Sequence, residues 1–260
     1  MYTELKQELY KLGHRKLPWW IISFLILFMI FMGLAMGRDY SKLLVMTCYD
    51  SSQAIMLILV VVGSTIFSME FQNKTILMVM YRASNKGAVY LAKFITIFIY
   101  NVFLHLVAML VTIFFNTVPI LVNPVAWSTT YKYQQSLFIN MIATTGVDIV
   151  TSTLIISLIC LTSCLINSDT IVIVVNALII FMGSTLSVNL LNANIGPIKL
   201  IRWNPLNMLN LTTQYYNYAT YHLTSMLSST QLLIGTLCYT AIFTILGYLI
   251  FRRKSFQLDS

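Results

Sequence analysis

Six runs of mostly apolar residues alternate with short polar segments along this chain. A helix needs about 20 such residues to cross roughly 30 Å of hydrocarbon. The runs therefore predict membrane-spanning helices at residues 18–37, 51–69, 88–115, 135–165, 170–191 and 231–251. The first run holds no charge and is too long for the apolar part of a cleavable signal, so it reads as a retained span. Ahead of it, Leu5, Leu9 and Leu12 share one helical face, while Glu4, Lys6, Glu8 and Lys11 occupy the rest. Residues 1–17 thus predict an amphipathic helix on the inner leaflet, with Trp19 and Trp20 at headgroup level. A frayed soluble tail is the alternative. Between spans two and three, residues 70–87 are longer than a minimal connection, and they enclose a short apolar run at 76–81. That run cannot span. It predicts two or three turns of surface helix, closed by Asn85 and Gly87. In the segment before span six, Asn204-Pro205 is a helix start, with apolar residues and then four tyrosines behind it. The fold class is an all-α integral membrane protein, one transmembrane domain over 1–260.

Composition excludes the other classes. Of the 260 residues, 58% are hydrophobic and only 9% charged. A soluble domain is roughly 25% charged, and a disordered chain needs low hydrophobicity. The net charge of +8 does not mark nucleic acid as a partner, because the basic residues sit in short stretches between apolar runs rather than on one face. Their distribution sets orientation instead. With the N-terminus inside, Lys6, Lys11, Arg15, Lys16, Lys74, Arg82, Lys86, Lys93, Arg252, Arg253 and Lys254 fall on the inner side. Only Arg38, Lys42, Lys132, Lys199 and Arg202 fall outside, so both termini are expected in the cytoplasm. Cys48, Cys160, Cys164 and Cys238 form no CxxC pair and read as apolar filler.

Some polar residues lie inside the predicted spans. Asp148 is the one acid deep in a span, with Thr144, Thr145, Thr151 and Ser152 within a turn of it. A centred charge costs on the order of 3 kcal/mol, so it needs water, a partner or a proton. On span three, Asn101, His105 and Thr112 share a face. His105 and Asp148 each lie about 12–13 residues in from opposite sides, roughly 18–20 Å along their helices, and so at matching depth. Two readings stand side by side. Asn101, His105, Asp148 and Ser152 line a translocation path, or His105 and Asp148 form an interhelical hydrogen bond that holds spans three and four. Gly33 and Gly37 form a GxxxG on span one, suited to close packing against another span.

The segment at 70–87 resembles the coupling region of ABC-2-type transporter permeases. The matching residues are Glu70 at the end of the second span, Thr75, the apolar stretch Ile76, Leu77 and onward to Met80, then Arg82, with Lys86 and Lys93 opening the third span. Arg82-Ala83-Ser84 stands where that family commonly has Pro-x-Ser/Arg. The resemblance covers the whole chain in layout, including the N-terminal helix, six spans and short outer helices that dip toward the membrane before span six. In length and chemistry it resembles small bacterial permeases beside lantibiotic, bacteriocin or cytolytic-peptide systems. It implies a permease subunit in the bacterial cytoplasmic membrane, exporting amphipathic peptides or other hydrophobic antimicrobial compounds. Two copies of a separate ABC ATPase would bind ATP and Mg and push on 76–82, and a second permease, identical or related, would complete the complex. The sequence agrees that this chain holds no cofactor, since G-x-x-x-x-G-K-[ST] is absent. No catalytic or metal-ligating residue is assigned. The alternatives are a non-transporting immunity protein, or an intramembrane enzyme using His105 and Asp148 with Ser152 nearby.

Overall fold

In lipid, backbone N–H and C=O groups must find partners within the protein, so apolar runs of this length become helices. The computed structural model describes residues 1–14, 16–72, 86–118, 123–166, 168–193 and 198–257. The helices are α1 (Tyr2–Gly13), α2 (Leu17–Met36), α3 (Ser41–Met46), α4 (Ser51–Gln72), α5 (Lys86–Thr117), α6 (Leu137–Leu165) and α7 (Asp169–Asn192). They are followed by α8 (Ile198–Ile201), α9 (Leu211–Tyr216), α10 (Tyr218–Ser225) and α11 (Ser229–Gln257), with 3-10 turns at Arg38–Tyr40 and Asn207–Asn210. No strand occurs among the described residues, only a lone bridge between Thr130 and Ser136.

Five of these helices, α2, α5, α6, α7 and α11, are long and apolar enough to cross a membrane. Counted as one span, a bent pair brings the number to six. Arg38–Met46 and Ser51–Phe67 meet at 51°. The sequence pattern reads residues 38–50 as a plain polar connection. In the structure they form a short arm that folds back onto the N-terminal turns of α6, burying Leu44, Val45 and Met46. The break itself places Cys48, Tyr49 and Asp50 at φ of 49°, 56° and 53°. Left-handed backbone at a residue with a Cβ costs about 1–2 kcal/mol. Burial of Cys48 and Tyr49, and the 2.7 Å bond from Tyr49 N–H to Leu44 O, hold it in place.

The bundle is apolar on its outer surface and buries polar side chains within an apolar core. Phe24, Leu27, Phe31 and Leu34 of α2 face outward, as do Leu106, Leu110 and Phe114 of α5. The same α5 buries Lys93, Thr96, Asn101, His105 and Thr112. Such an arrangement fits hydrocarbon as the solvent, and the chain is a multi-pass membrane protein. Helix α6 is central, with α11 and α4 lying most extensively against it. Two glycines on α11 permit close approach. Gly247 admits the Tyr90 hydroxyl and Gly235 admits Met208, where a Cβ would overlap each. Gly37 is not a packing seam, as the GxxxG spacing suggested. Its φ of +76° terminates α2, and no atom lies within contact of the position its Cβ would take.

The two ends of the bundle differ. At one, α1 lies along α5, and the Trp19 indole N–H donates to Gly13 O at 3.1 Å, fastening α1 to the start of α2. At the other, α3, the 123–136 loop and α8–α10 gather. There the Asn116 amide clamps Val125 at two points, donating to its O at 2.9 Å and accepting from its N at 3.0 Å. No helix starts at Pro205 as the Asn204-Pro205 pair suggested; Asn204 instead closes a turn, accepting from Asn207 N–H at 2.9 Å, and the 3-10 turn begins at Asn207.

Candidate functional site

At the α1 end, three helices meet around one charge. Glu8 lies on the buried face of α1 with Leu12, one turn away. The sequence pattern put Glu8 on the polar face. Its i+4 relation to Leu12 places it on the apolar one, and a buried carboxylate requires a counter-charge. Lys93 of α5 supplies it. The fully buried Lys93 Nζ lies 3.4 Å from Glu8 Oε2 and donates to Ile66 O of α4 at 3.1 Å. It also sits 5.8 Å from the centroid of the Phe67 ring. Lys11 binds the other Glu8 oxygen, Oε1, at 2.8 Å. Helices α1, α4 and α5 are thereby stitched together where α4 ends and α5 begins. Glu70 is within α4, and Lys86 is the first residue of α5. Thr75, Ile76, Leu77, Met80 and Arg82 lie between them, outside the described residues.

A polar seam runs between α5 and α6. Asn101, His105, Asp148 and Ser152 are all buried there. Asn101 Nδ2 donates to Ser152 Oγ at 2.8 Å, and the same hydroxyl lies 3.0 Å from Asn101 Oδ1. The His105 Nδ1–H donates to Asn101 O at 3.0 Å, since a carbonyl can only accept. That choice leaves Nε2 with a lone pair and no partner among the described residues. Asp148 Oδ1 is likewise unpartnered. The interhelical His105–Asp148 hydrogen bond weighed from matching depth is therefore not formed, and α5 and α6 are joined by Asn101–Ser152 instead. A Ser152–His105–Asp148 relay is not assembled either, because Asn101 occupies the Ser152 hydroxyl. Cys48 from the break sits against Thr145, with its Sγ 3.8 Å from Oγ1.

A cavity of about 220 Å³ lies at the end opposite α1. Its walls come from the break and first turns of α4 (Asp50, Ser52), the middle of α7 (Ser184) and the outer helices (Thr212, Tyr216, Tyr221). Thr212 binds Thr151 of α6 at 3.0 Å, and Ser184 donates to Asn210 at 2.6 Å, so both walls are anchored. Asp148 lies behind this wall, beside Ser52 and Thr212 and within electrostatic reach of Asp50. Burial first, then the Asp50 carboxylate, pushes the Tyr216 phenol above its ordinary range, which keeps it a protonated donor.

The sequence pattern marked Asn101, His105, Asp148 and Ser152 as one group, and they do share the interior. It missed Glu8, whose only signal was its spacing to the leucine face. It also missed Asp50, which looks like an ordinary polar residue ahead of a span until the backbone break turns it inward.

A protein-family model described as ABC-2 family transporter protein matches residues 4–184. The match runs from α1 into α7, and so takes in the stitched end, the seam and the α4 and α7 walls of the cavity. No curated protein matches the chain.

Proposed function

The chain belongs to the ABC-2 family of transporter proteins, and from that premise we propose that it is the permease subunit of an exporter for amphipathic peptides or other hydrophobic antimicrobial compounds. In this reading the α1 end is cytoplasmic, with both termini in the cytoplasm of a bacterial cell, and α1 rests on the inner leaflet. Two copies of a separate ATPase, loaded with ATP and Mg, grip residues 76–82, with Glu70, Thr75, Arg82 and Lys86 framing the grip. A second permease, identical or related, completes the path, along which Asn101, His105, Asp148 and Ser152 present polar groups to cargo. ATP-driven closure of the ATPase pair moves the grip, and the α1–α4–α5 junction carries that motion into the bundle as a rigid body.

The observation that supports this most is the Glu8–Lys93–Ile66 junction. It unites the helices on either side of residues 73–85, so a push on that segment is delivered to several elements at once rather than absorbed by one loop. The test is co-purification of the chain with the ATPase encoded beside it, followed by measurement of ATP hydrolysis. Wild type should stimulate hydrolysis in the presence of cargo. Arg82→Glu, or deletion within 77–81, should abolish the stimulation while the permease remains folded. Normal stimulation by both variants overturns the coupling assignment.

A further inference from the structure

The cavity between α4, α7 and the outer helices has a chemistry opposite to that of the chain around it. The protein carries 16 Lys and Arg against 8 Asp and Glu, yet Asp50 is the only charged side chain on the cavity wall among the described residues. Asp148 backs it up from α6. Ser52 lines the cavity, is 96% buried at 4% exposure, and its Oγ has no hydrogen-bond partner. Ser52 lies beside the Asp148 carboxylate, so its hydroxyl can turn to donate there while its lone pairs stay free to accept. Asp50 on the wall has no ion pair among the described residues, and a partly buried carboxylate without a counter-charge favours a cationic donor from outside the chain. Tyr216 and Tyr221 add ring faces, which attract cations. The strained left-handed break at residues 48–50 holds Asp50 at the cavity wall, and strain of this kind collects at binding sites.

We infer that this cavity binds the ammonium or guanidinium head of an amphipathic cation, with Asp50 as counter-ion, Ser52 as acceptor and the two tyrosines as walls. A volume of about 220 Å³ is below the roughly 300–1,000 Å³ of sites for drug-sized ligands. It takes one headgroup or one basic side chain, and the apolar remainder of the molecule stays against the lipid-facing surface of α7, where Phe181 is exposed at the rim. A neutral or anionic head leaves the acceptors unfilled or repels Asp50. The identification of this cation as cargo rests on the export reading. The binding site does not.

The experiment uses the full chain in lipid nanodiscs without ATPase. The probes are 2-phenylethylammonium and its neutral counterpart 2-phenylethanol, titrated by calorimetry into wild type, Asp50→Asn, Asp50→Glu, Ser52→Ala and the exposed control Asp39→Asn. Wild type and Asp39→Asn should bind the ammonium saturably and at least tenfold tighter than the alcohol. Asp50→Asn should lose that preference, Asp50→Glu should keep most of it, and Ser52→Ala should weaken it severalfold. If Asp50→Asn fails to fold, as seen in its melting curve, the wild-type preference decides alone. Absence of that preference, or its persistence in a folded Asp50→Asn, overturns the inference. Export of peptide with no ammonium preference in the cavity sinks this site and leaves the export reading standing. The preference without any ATP-dependent export does the reverse.

Discussion

Replacing Glu8 with Gln tests the junction at the α1 end. The change is nearly isosteric and takes the Glu8 carboxylate away from the fully buried Lys93. At 3.4 Å and an effective permittivity of about 20, the attraction between the two charges is about 5 kcal/mol. Desolvation cancels much of that in the intact pair, but it remains once the partner is gone, so breaking a buried pair costs about 3–5 kcal/mol. The bond from Lys93 to Ile66 O survives and tempers the loss, so a figure near 3 kcal/mol is expected. For a chain of this size that corresponds to a fall in melting temperature of about 6–12 °C. Because α1 is terminal, part of the cost appears as local undocking. The assay is therefore a melting curve in nanodiscs together with trypsin cleavage at Lys11, which should accelerate severalfold. Glu8→Gln with Lys93→Met should recover part of the loss, since the buried ammonium that lost the Glu8 carboxylate is then gone as well. An unchanged melting temperature and cleavage rate in Glu8→Gln refute the buried pair.

Other outcomes follow from the same geometry. Asp148→Asn should shift the melting temperature little, because the near-isosteric amide can keep the contacts with Ser52 and Thr212, yet cut transport of cationic cargo at least fivefold in vesicle assays; unaffected transport argues for a packing role alone. Ser152→Ala should cost about 2 kcal/mol by stranding the buried Asn101 amide, whose bonds at 2.8 and 3.0 Å both go to Ser152, whereas Asn101→Leu should cost less, since the Ser152 hydroxyl keeps Ile149 O at 3.1 Å, and thermal melts compare the two. Gly247→Val should destabilise the bundle by driving a side chain into the Tyr90 hydroxyl, and adding Tyr90→Phe should relieve part of the loss, measured the same way.

The spans were legible because lipid imposes one rule on every crossing helix, a long enough apolar run, whatever the helix packs against. Buried polarity was legible in part. Asn101, His105, Asp148 and Ser152 stand out because polar groups are rare at such depth. Depth does not determine which way a side chain turns about its helix, so matching depths suggested a His105–Asp148 bond where the helices instead present Asn101 to Ser152. The α3–α4 bend was hidden because six residues of helix are too few to show a period, and because the left-handed turn at Cys48, Tyr49 and Asp50 uses no glycine. Asp50 stayed hidden with it. Glu8 was misplaced because a charge at a leucine-face position reads as surface unless the Lys93 from a distant helix is already known.

In the proposed function, an external ATPase drives cargo through this bundle. The most direct measurement loads proteoliposomes containing the permease and its ATPase with a fluorescent cationic amphipathic peptide and follows its movement on the addition of ATP and Mg. Saturable movement that requires hydrolysis and is lost in Arg82→Glu is expected. Movement that is independent of ATP, or none with an assembled and ATP-hydrolysing complex, contradicts it.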